Sequence, residues 1–429
     1  MGRLTTLALA VALLFGGAVA PARAGGGFGG LAADAAFGES MTFTATWSGA
    51  APDHLELLLG FGTEERLAVQ LEPARGDLRY VRDLTGEYVT PNTEVSYQWR
   101  ATAADAVTLS PQRTLLYDDD RSHLDWERAR VGSATVHWYD DNEAAARRFG
   151  ALAGDAADAA GELLGRPLAE PIDIFVYDAR DDFFGAIGPG SREWTGAATY
   201  PHIRTIFMWL GAGGDAFLEL ALVHEVTHVV FADATANPFH EPASWLNEGV
   251  ATWSERQDAA VEEDLVRFEA GRGGLMAFAA LVHEFPIDAR GASLAYAQGA
   301  TMVDYLIETY GTDVMADIAD AYRSGATEDE AIEAASGTPF GDIRVAYFDQ
   351  FGVTEPEPIE PVARARSDVP LPPQPGGEPG PTAAPVGGSG DGQGLAWWLI
   401  IVIVAVGVVF GVTVVLVARR IQPPAGGAG

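Results

Sequence analysis

The chain has 429 residues, 48% of them hydrophobic, which is enough for two or three domains with sizeable cores. Its net charge is −33 and every one of its 27 basic residues is arginine, which makes nucleic acid an unsuitable partner and suits a strongly solvated surface. With 0 cysteines, disulfides, cysteine-ligated zinc and cysteine nucleophiles are excluded.

In chain order, residues 1–24 read as a secretory signal. Arg3 supplies the positive start, Leu4–Ala20 a short apolar core, and Ala22-Arg23-Ala24 an A-x-A cleavage site, so the mature chain begins near Gly25. Residues 25–33 read as a glycine-rich tail. From about Ser40 to Asp118 the hydrophobic period is two, with turn residues between short runs such as M-T-F-T-A-T-W and V-S-Y-Q-W-R-A-T-A. That pattern predicts an antiparallel β-sandwich module, assigned to residues 25–123. T-P-N-T-E-V-S-Y-Q-W-R-A within it resembles the late strands of a fibronectin type III module. It shows no catalytic constellation, and a surface partner is its candidate role. His54, His123 and His137 read as surface or packing residues.

A second domain is assigned to residues 124–353. W-E-R-A-R-V, T-V-H-W-Y and P-I-D-I-F-V-Y read as strands, Asn142–Leu164 and Ala179–Ala186 as helices. T-G-A-A-T-Y-P-H-I-R-T-I-F-M-W-L reads as a hairpin or edge pair, with His202 a loop histidine that could face a cleft. Gly213-Gly214 marks a turn, Asp215 an N-cap and Pro242 the first turn of a later helix. After Trp253 the pattern is helical: Asp258–Ala270, Gly274–Glu284, Ser293–Tyr310, Val314–Arg323, Glu328–Ala335 and Gly341–Phe351, with caps at Thr327 and Thr338. His283 reads as a surface residue.

The chemistry concentrates between Asp215 and Trp253. His224, Glu225 and His228 form H-E-x-x-H on an apolar helix, and residues four apart share one helix face. Two histidines and a glutamate in so apolar a helix are costly unless something satisfies them. A metal does. Glu248, separated from His228 by nineteen intervening residues, adds a carboxylate from a second helix. His224, His228 and Glu248 then make three ligands for one Zn2+ with a fourth position open to water, and Glu225 is placed to take that water's proton.

H-E-V-T-H followed by W-L-N-E-G-V-A resembles the gluzincins of the peptidase MA superfamily, and is most similar to peptidase-MA-like domains that share N-E-G with M1 aminopeptidases. The resemblance covers about residues 126–351. It implies a gluzincin-like α+β zinc peptidase, a small mixed sheet plus a helical lobe with the cleft between them. It also implies that Thr195–Tyr200 is a cleft-lining strand and that Tyr296, in L-A-Y-A-Q-G-A-T-M, stabilises an oxyanion. Three departures matter. Gln298 replaces the lysine of the M1 Y-x-K-G-A segment. G-A-A-T-Y carries no carboxylate where M1 enzymes have G-x-M-E-N, so internal peptide bonds are the expected target. Thr252 occupies the position of the aspartate that orients a zinc histidine in thermolysin-like members.

Residues 354–394, crowded with proline and glycine, predict a disordered stalk. Residues 395–417 form an uncharged apolar stretch with Trp397 and Trp398 at one border and Arg419-Arg420 beyond the other. They predict one transmembrane helix and a cytoplasmic tail at residues 418–429. The expected protein is a single-pass cell-membrane zinc metallopeptidase with its catalytic part outside, acting on a peptide or protein. The alternatives are an inactive metal-binding surface protein and a zinc hydrolase of a non-peptide substrate.

Overall fold

The computed structural model describes residues 26–62, 66–104, 106–188, 196–283, 285–286 and 288–358. The expected signal at 1–24, nearly all of the stalk, the span at 395–417, the tail and Thr195 lie outside the described residues. No helix among the described residues is long and apolar enough to cross a membrane. They fall into two compact units, one running to Glu87 and including Glu94–Tyr117, the other comprising Tyr88–Thr93 and the chain from Asp118.

The first unit holds strands β1 (Phe28–Ala36), β2 (Ser40–Trp47), β3 (His54–Phe61), β4 (Leu67–Leu71), β5 (Gly76–Asp83), β6 (Thr93–Ala103), β7 (Ala106–Leu109) and β8 (Arg113–Tyr117). They form a sheet of order β1-β2-β5 and a sheet of order β4-β3-β6-β7, with β8 also on β6. Alternation does the work: Met41, Phe43, Ala45 and Trp47 of β2 point inward, as do Val95, Tyr97 and Trp99 of β6. The sheets meet through these rings, Phe43 lying 5.2 Å from Tyr97. The tail expected at residues 25–33 is instead largely strand β1. Its glycines and alanines carry little strand signal, but β2 supplies backbone partners along its length and Phe28 packs 4.7 Å from Trp47.

The second unit is a mixed α+β domain. Strands β9 (Glu127–Val131), β10 (Ala134–Trp138), β11 (Ile172–Tyr177), β12 (Ala197–Tyr200) and β13 (Thr205–Trp209) form one sheet of order β12-β13-β11-β10-β9. β10, β11 and β13 run parallel, while β9 and β12 close the two edges antiparallel. Helix α1 (Glu143–Leu163) links β10 to β11, and α2 (Arg180–Ile187) follows β11. Val136, Ile174 and Ile206 bury one sheet face with the alanine stripe of α1, Ala146, Ala153, Ala157 and Ala160. Phe175, Tyr177 and Phe207 bury the other with Phe183 of α2.

Helix α3 (Asp215–Thr235) joins the first of these cores. It is apolar nearly all round because it packs against both the sheet and the helical region, and so has little solvent-facing stripe. That region contains α4 (Ser244–Ser254), α5 (Ala260–Ala270), α6 (Ala289–Tyr310), α7 (Asp313–Arg323), α8 (Glu328–Ser336) and α9 (Phe340–Asp349).

Several expected details are corrected here. Among the described residues of the expected helix 274–284 there is one 3-10 turn, Phe278–Leu281, in place of an α-helix. Gln298 takes both backbone groups of Met276, at 2.8 and 2.9 Å, so they are withheld from a helical ladder. α6 begins four residues before Ser293, capped by Asp288, whose side chain accepts from Gly291 N at 2.9 Å. Asp215 is the first residue of α3 rather than its cap, and its carboxylate instead pairs with Arg148 at 2.9 Å. Pro242 precedes the α4 cap Ala243, because Ser244 N still bonds to Val282 O at 2.8 Å. Thr338 is displaced as a cap by Pro339, its own N–H being held by Ser336 Oγ at 3.1 Å. Thr327 does cap α8, in a capping box with Glu330.

α4 and α6 cross with their backbones in near contact. A Cβ on Gly249 would lie 2.6 Å from the Gly299 carbonyl, and one on Gly299 would lie 2.6 Å from Trp245 O. Glycine at both positions lets α4 seat against α6 next to Glu248. Gly249→Ala is expected to destabilise the fold by about 1–3 kcal/mol, read from urea unfolding of the chelated full chain.

Candidate metal centre

The polar cluster lies where α3 and α4 pack. His224 and His228 stand one turn apart on α3, and both aim Nε2 at Glu248 Oε2 of α4, at 3.3 and 3.4 Å. His224 is fully buried, and His228 and Glu248 are 1% exposed. One ligand atom from each of the three lies within 4.8 Å of the others. Three nitrogen or oxygen ligands bound tetrahedrally at ~2.1 Å sit about 3.4 Å apart, close to the separations found here. The donor set therefore fits one divalent cation.

Unpaired atoms make the same point. His228 Nε2, Glu248 Oε1 and both carboxylate oxygens of Glu225 are buried with no hydrogen-bond partner among the described residues. Such groups are costly in an apolar interior and normally find a partner. A cation and its water would satisfy all of them. Burial alone would push His224 down, but its bonds to Glu248 and Glu255 win and raise it to about 10. Burial likewise favours a neutral Glu248, yet His228 and His224 bring it down to about 2. The pocket thus demands positive charge. Burial pushes the Glu225 carboxyl up, opposed by His228 and His224.

Two positioning residues escaped the sequence reading. His224 Nδ1 bonds to Glu255 Oε1 at 3.1 Å, and His228 Nδ1 to Asn247 Oδ1 at 3.0 Å. Each bond fixes the tautomer and leaves Nε2 free for a metal. Glu255 lies seven residues past Glu248, two turns along the same side of α4, and that spacing was the available signal. Thr252 plays no such part: its buried Oγ1 touches no hydrogen-bond partner among the described residues.

Tyr296 lies in the second turn of α6, its ring 6.2 Å from that of His224 and 5.0 Å edge-on from Phe285. The cluster therefore unites all five sequence-selected residues, His224, Glu225, His228, Glu248 and Tyr296. Edge strand β12 runs beside it, where Thr199 Oγ1 donates to the Glu225 carbonyl at 3.4 Å. His202 joins no ligand set; it lies in a short 3-10 turn, and burial lowers it to about 4. His137 bonds to Asp173 at 2.8 Å and stacks on Phe175, while His123 bonds to Asp182 at 2.8 Å.

Two helices thus converge H-E-x-x-H and a distant glutamate on one buried point, an arrangement compatible with a gluzincin-type metal centre. The Peptidase MA superfamily model matches residues 153–347, which supports a gluzincin-like assignment for that part of the chain. No curated protein matches the chain. Among solved structures it is similar to an M1 zinc metallopeptidase from Deinococcus radiodurans, at 14% identity over 75% of this chain and 93% of that one, with a TM-score of 0.36. It is also similar to an aminopeptidase N family protein from Idiomarina loihiensis, at 11% identity over 74% of this chain and 71% of that one, with a TM-score of 0.33.

The charge arrangement sets a pH dependence. His224 is raised from 6.5 to about 10, so its contribution to stability is complete below pH 6.5 and is lost as pH climbs toward 10. Glu248 is lowered from 4.5 to about 2, so its contribution is complete above pH 4.5 and is lost as pH falls toward 2. The chelated full chain should therefore weaken on both sides of a window from about pH 4.5 to 6.5, read as urea midpoint against pH. A cation must displace the His224 proton, so zinc affinity should rise about tenfold per pH unit from 6 to 8 in chelator competition. A flat profile would show that the imidazole holds no proton there.

Proposed function

We propose that the protein is a membrane-anchored, extracytoplasmic zinc metallopeptidase that hydrolyses internal peptide bonds. The observation that carries the reading is the buried convergence of His224, His228 and Glu248 beside the unpartnered carboxylate of Glu225. The signal-like segment at 1–24 and the apolar stretch at 395–417 support an outward-facing, anchored domain.

His224, His228 and Glu248 would hold the zinc. When bound, it supplies Lewis acidity that activates water and polarises the scissile carbonyl. Glu225 accepts the proton of the attacking water at its carboxylate and passes it to the leaving amine nitrogen. Its apolar burial raises its proton affinity, which suits a group that must hold a proton between the two steps. Tyr296 Oη donates to the carbonyl oxygen as charge develops there. Glu255 and Asn247 hold the two imidazoles in register. Among the described residues β12 pairs only with β13 and lies beside α3, so an extended substrate could pair with its other edge. G-A-A-T-Y on and before β12 offers no carboxylate to grip a free α-amine, which favours internal cleavage.

Glu225→Gln should retain zinc at wild-type stoichiometry and lose peptide cleavage by at least about a thousandfold, measured by metal analysis beside a peptide-library digest. Tyr296→Phe should lower kcat about 10²–10³-fold with little change in KM. Blocking the N-terminus of a cleaved peptide should leave its rate unchanged, whereas a requirement for the free amine would point to an exopeptidase. Zinc uptake with no cleavage of any peptide would favour a binding protein instead.

A further inference from the structure

The connection after α4 carries an arginine, Arg256, that the proposed chemistry does not use. Glu255 Oε1 faces His224, while its second oxygen, Oε2, accepts from Arg256 Nη1 at 3.3 Å. The same Arg256 nitrogen lies 3.5 Å from Glu262 Oε1 in the first turn of α5. Glu255 is nearly closed off from solvent, its side chain 2% exposed, whereas the Arg256 side chain is 23% exposed. Glu262 Oε2 is buried with no hydrogen-bond partner among the described residues, and Arg256 is the cation that its other oxygen faces. One guanidinium thus ties the end of α4 to the start of α5 and touches the far side of the carboxylate that orients a ligand imidazole.

We infer that Arg256 is a positioning residue for the metal site, holding the Glu255 carboxylate against His224 Nδ1 with Glu262 as its second anchor. This rests on the reading of His224, His228 and Glu248 as metal ligands. A buried carboxylate with one oxygen on an imidazole can rotate about its last torsion. A cation fixed on the other oxygen removes that freedom and offsets the cost of keeping the charge out of water. A single guanidinium nitrogen, Nη1, reaches both acceptors at once, so a lysine ammonium can take over part of the task. The effect on the metal passes entirely through Glu255, because Arg256 contacts no ligand itself.

The test is a double-mutant cycle on zinc affinity, measured by chelator competition on the full chain with zinc as the only probe. Arg256→Gln should weaken zinc binding about tenfold, and Arg256→Lys should restore it to within about threefold of wild type. Beside Glu255→Gln, Arg256→Gln should cost less than about a further twofold, since the residue it acts through is already disabled. A merely structural arginine would lower the melting temperature of the chelated chain without coupling to Glu255. The inference is overturned if Arg256→Gln binds zinc within about twofold of wild type, if Arg256→Lys gives no recovery, or if the full loss persists beside Glu255→Gln. Should Arg256→Gln fail to fold, the cycle is run with Arg256→Lys, whose loss of about threefold must vanish beside Glu255→Gln. A wild-type chain that takes up no zinc overturns the metal reading and this inference together, whereas zinc uptake unaffected by Arg256 overturns this inference alone.

Discussion

Four ionisable side chains sit inside the most apolar helix pair of the second unit. His224, Glu225, His228 and Glu248 are each 1% exposed or less, and around them lie Val226, Val229, Leu246 and Val250, all fully buried. Desolvating such groups costs several kcal/mol apiece unless each finds a charge or hydrogen-bond partner. The imidazoles and Glu248 answer one another, and the outer ring nitrogens are taken by Glu255 and Asn247. Glu225 and the inner edges of His228 and Glu248 are left unmatched. The rest of the second unit can be understood as what is required to keep that imbalance dry and in place.

The sheet contributes by being closed on both faces. Its alanine-faced contact with α1 brings a long helix close, and its aromatic face is sealed by α2. The remaining edge strand, β12, runs against the middle of α3 rather than its end. The helical region contributes by close approach. Gly249 and Gly299 allow α4 to lie on α6 at backbone distance, which puts Glu248 opposite the histidines and Tyr296 beside His224. Trp245, stacked 5.5 Å from Phe340, locks the start of α4 against α9. Position along α4 is thereby set by packing, and Glu248 inherits that position.

Gln298 shows how a departure from a family pattern can be structural. The residue stands where the M1 segment carries lysine, and it is fully buried. Its amide pairs with both backbone groups of Met276 and keeps that segment out of an α-helix. An uncharged amide can do this in an apolar interior, because it offers one donor and one acceptor in the spacing of a backbone pair. A lysine could offer only donors and would bring a charge that needs a partner.

The buried cluster of His224, Glu225, His228 and Glu248 and its two-helix arrangement were legible in the residues alone, because H-E-x-x-H is a local pattern and helical geometry turns its spacing directly into a shared face. The alternation of β2 and β6 was legible for the same reason: burial on one side of a strand writes itself into every second residue. What failed to show were features decided by partners distant in sequence. Strand β1 is glycine- and alanine-rich and exists because β2 pairs with it. The segment around Met276 has helical composition and is kept out of an α-helix because Gln298 holds its backbone. Glu255 looks like one acid among 60 acidic residues until the end of α4 brings it to His224. Sequence by itself determined which side chains could bind a cation, since that follows from residue type and periodicity. Tertiary structure alone decided which neighbours hold them still, because hydrogen bonds between separate elements depend on where the whole core places each backbone.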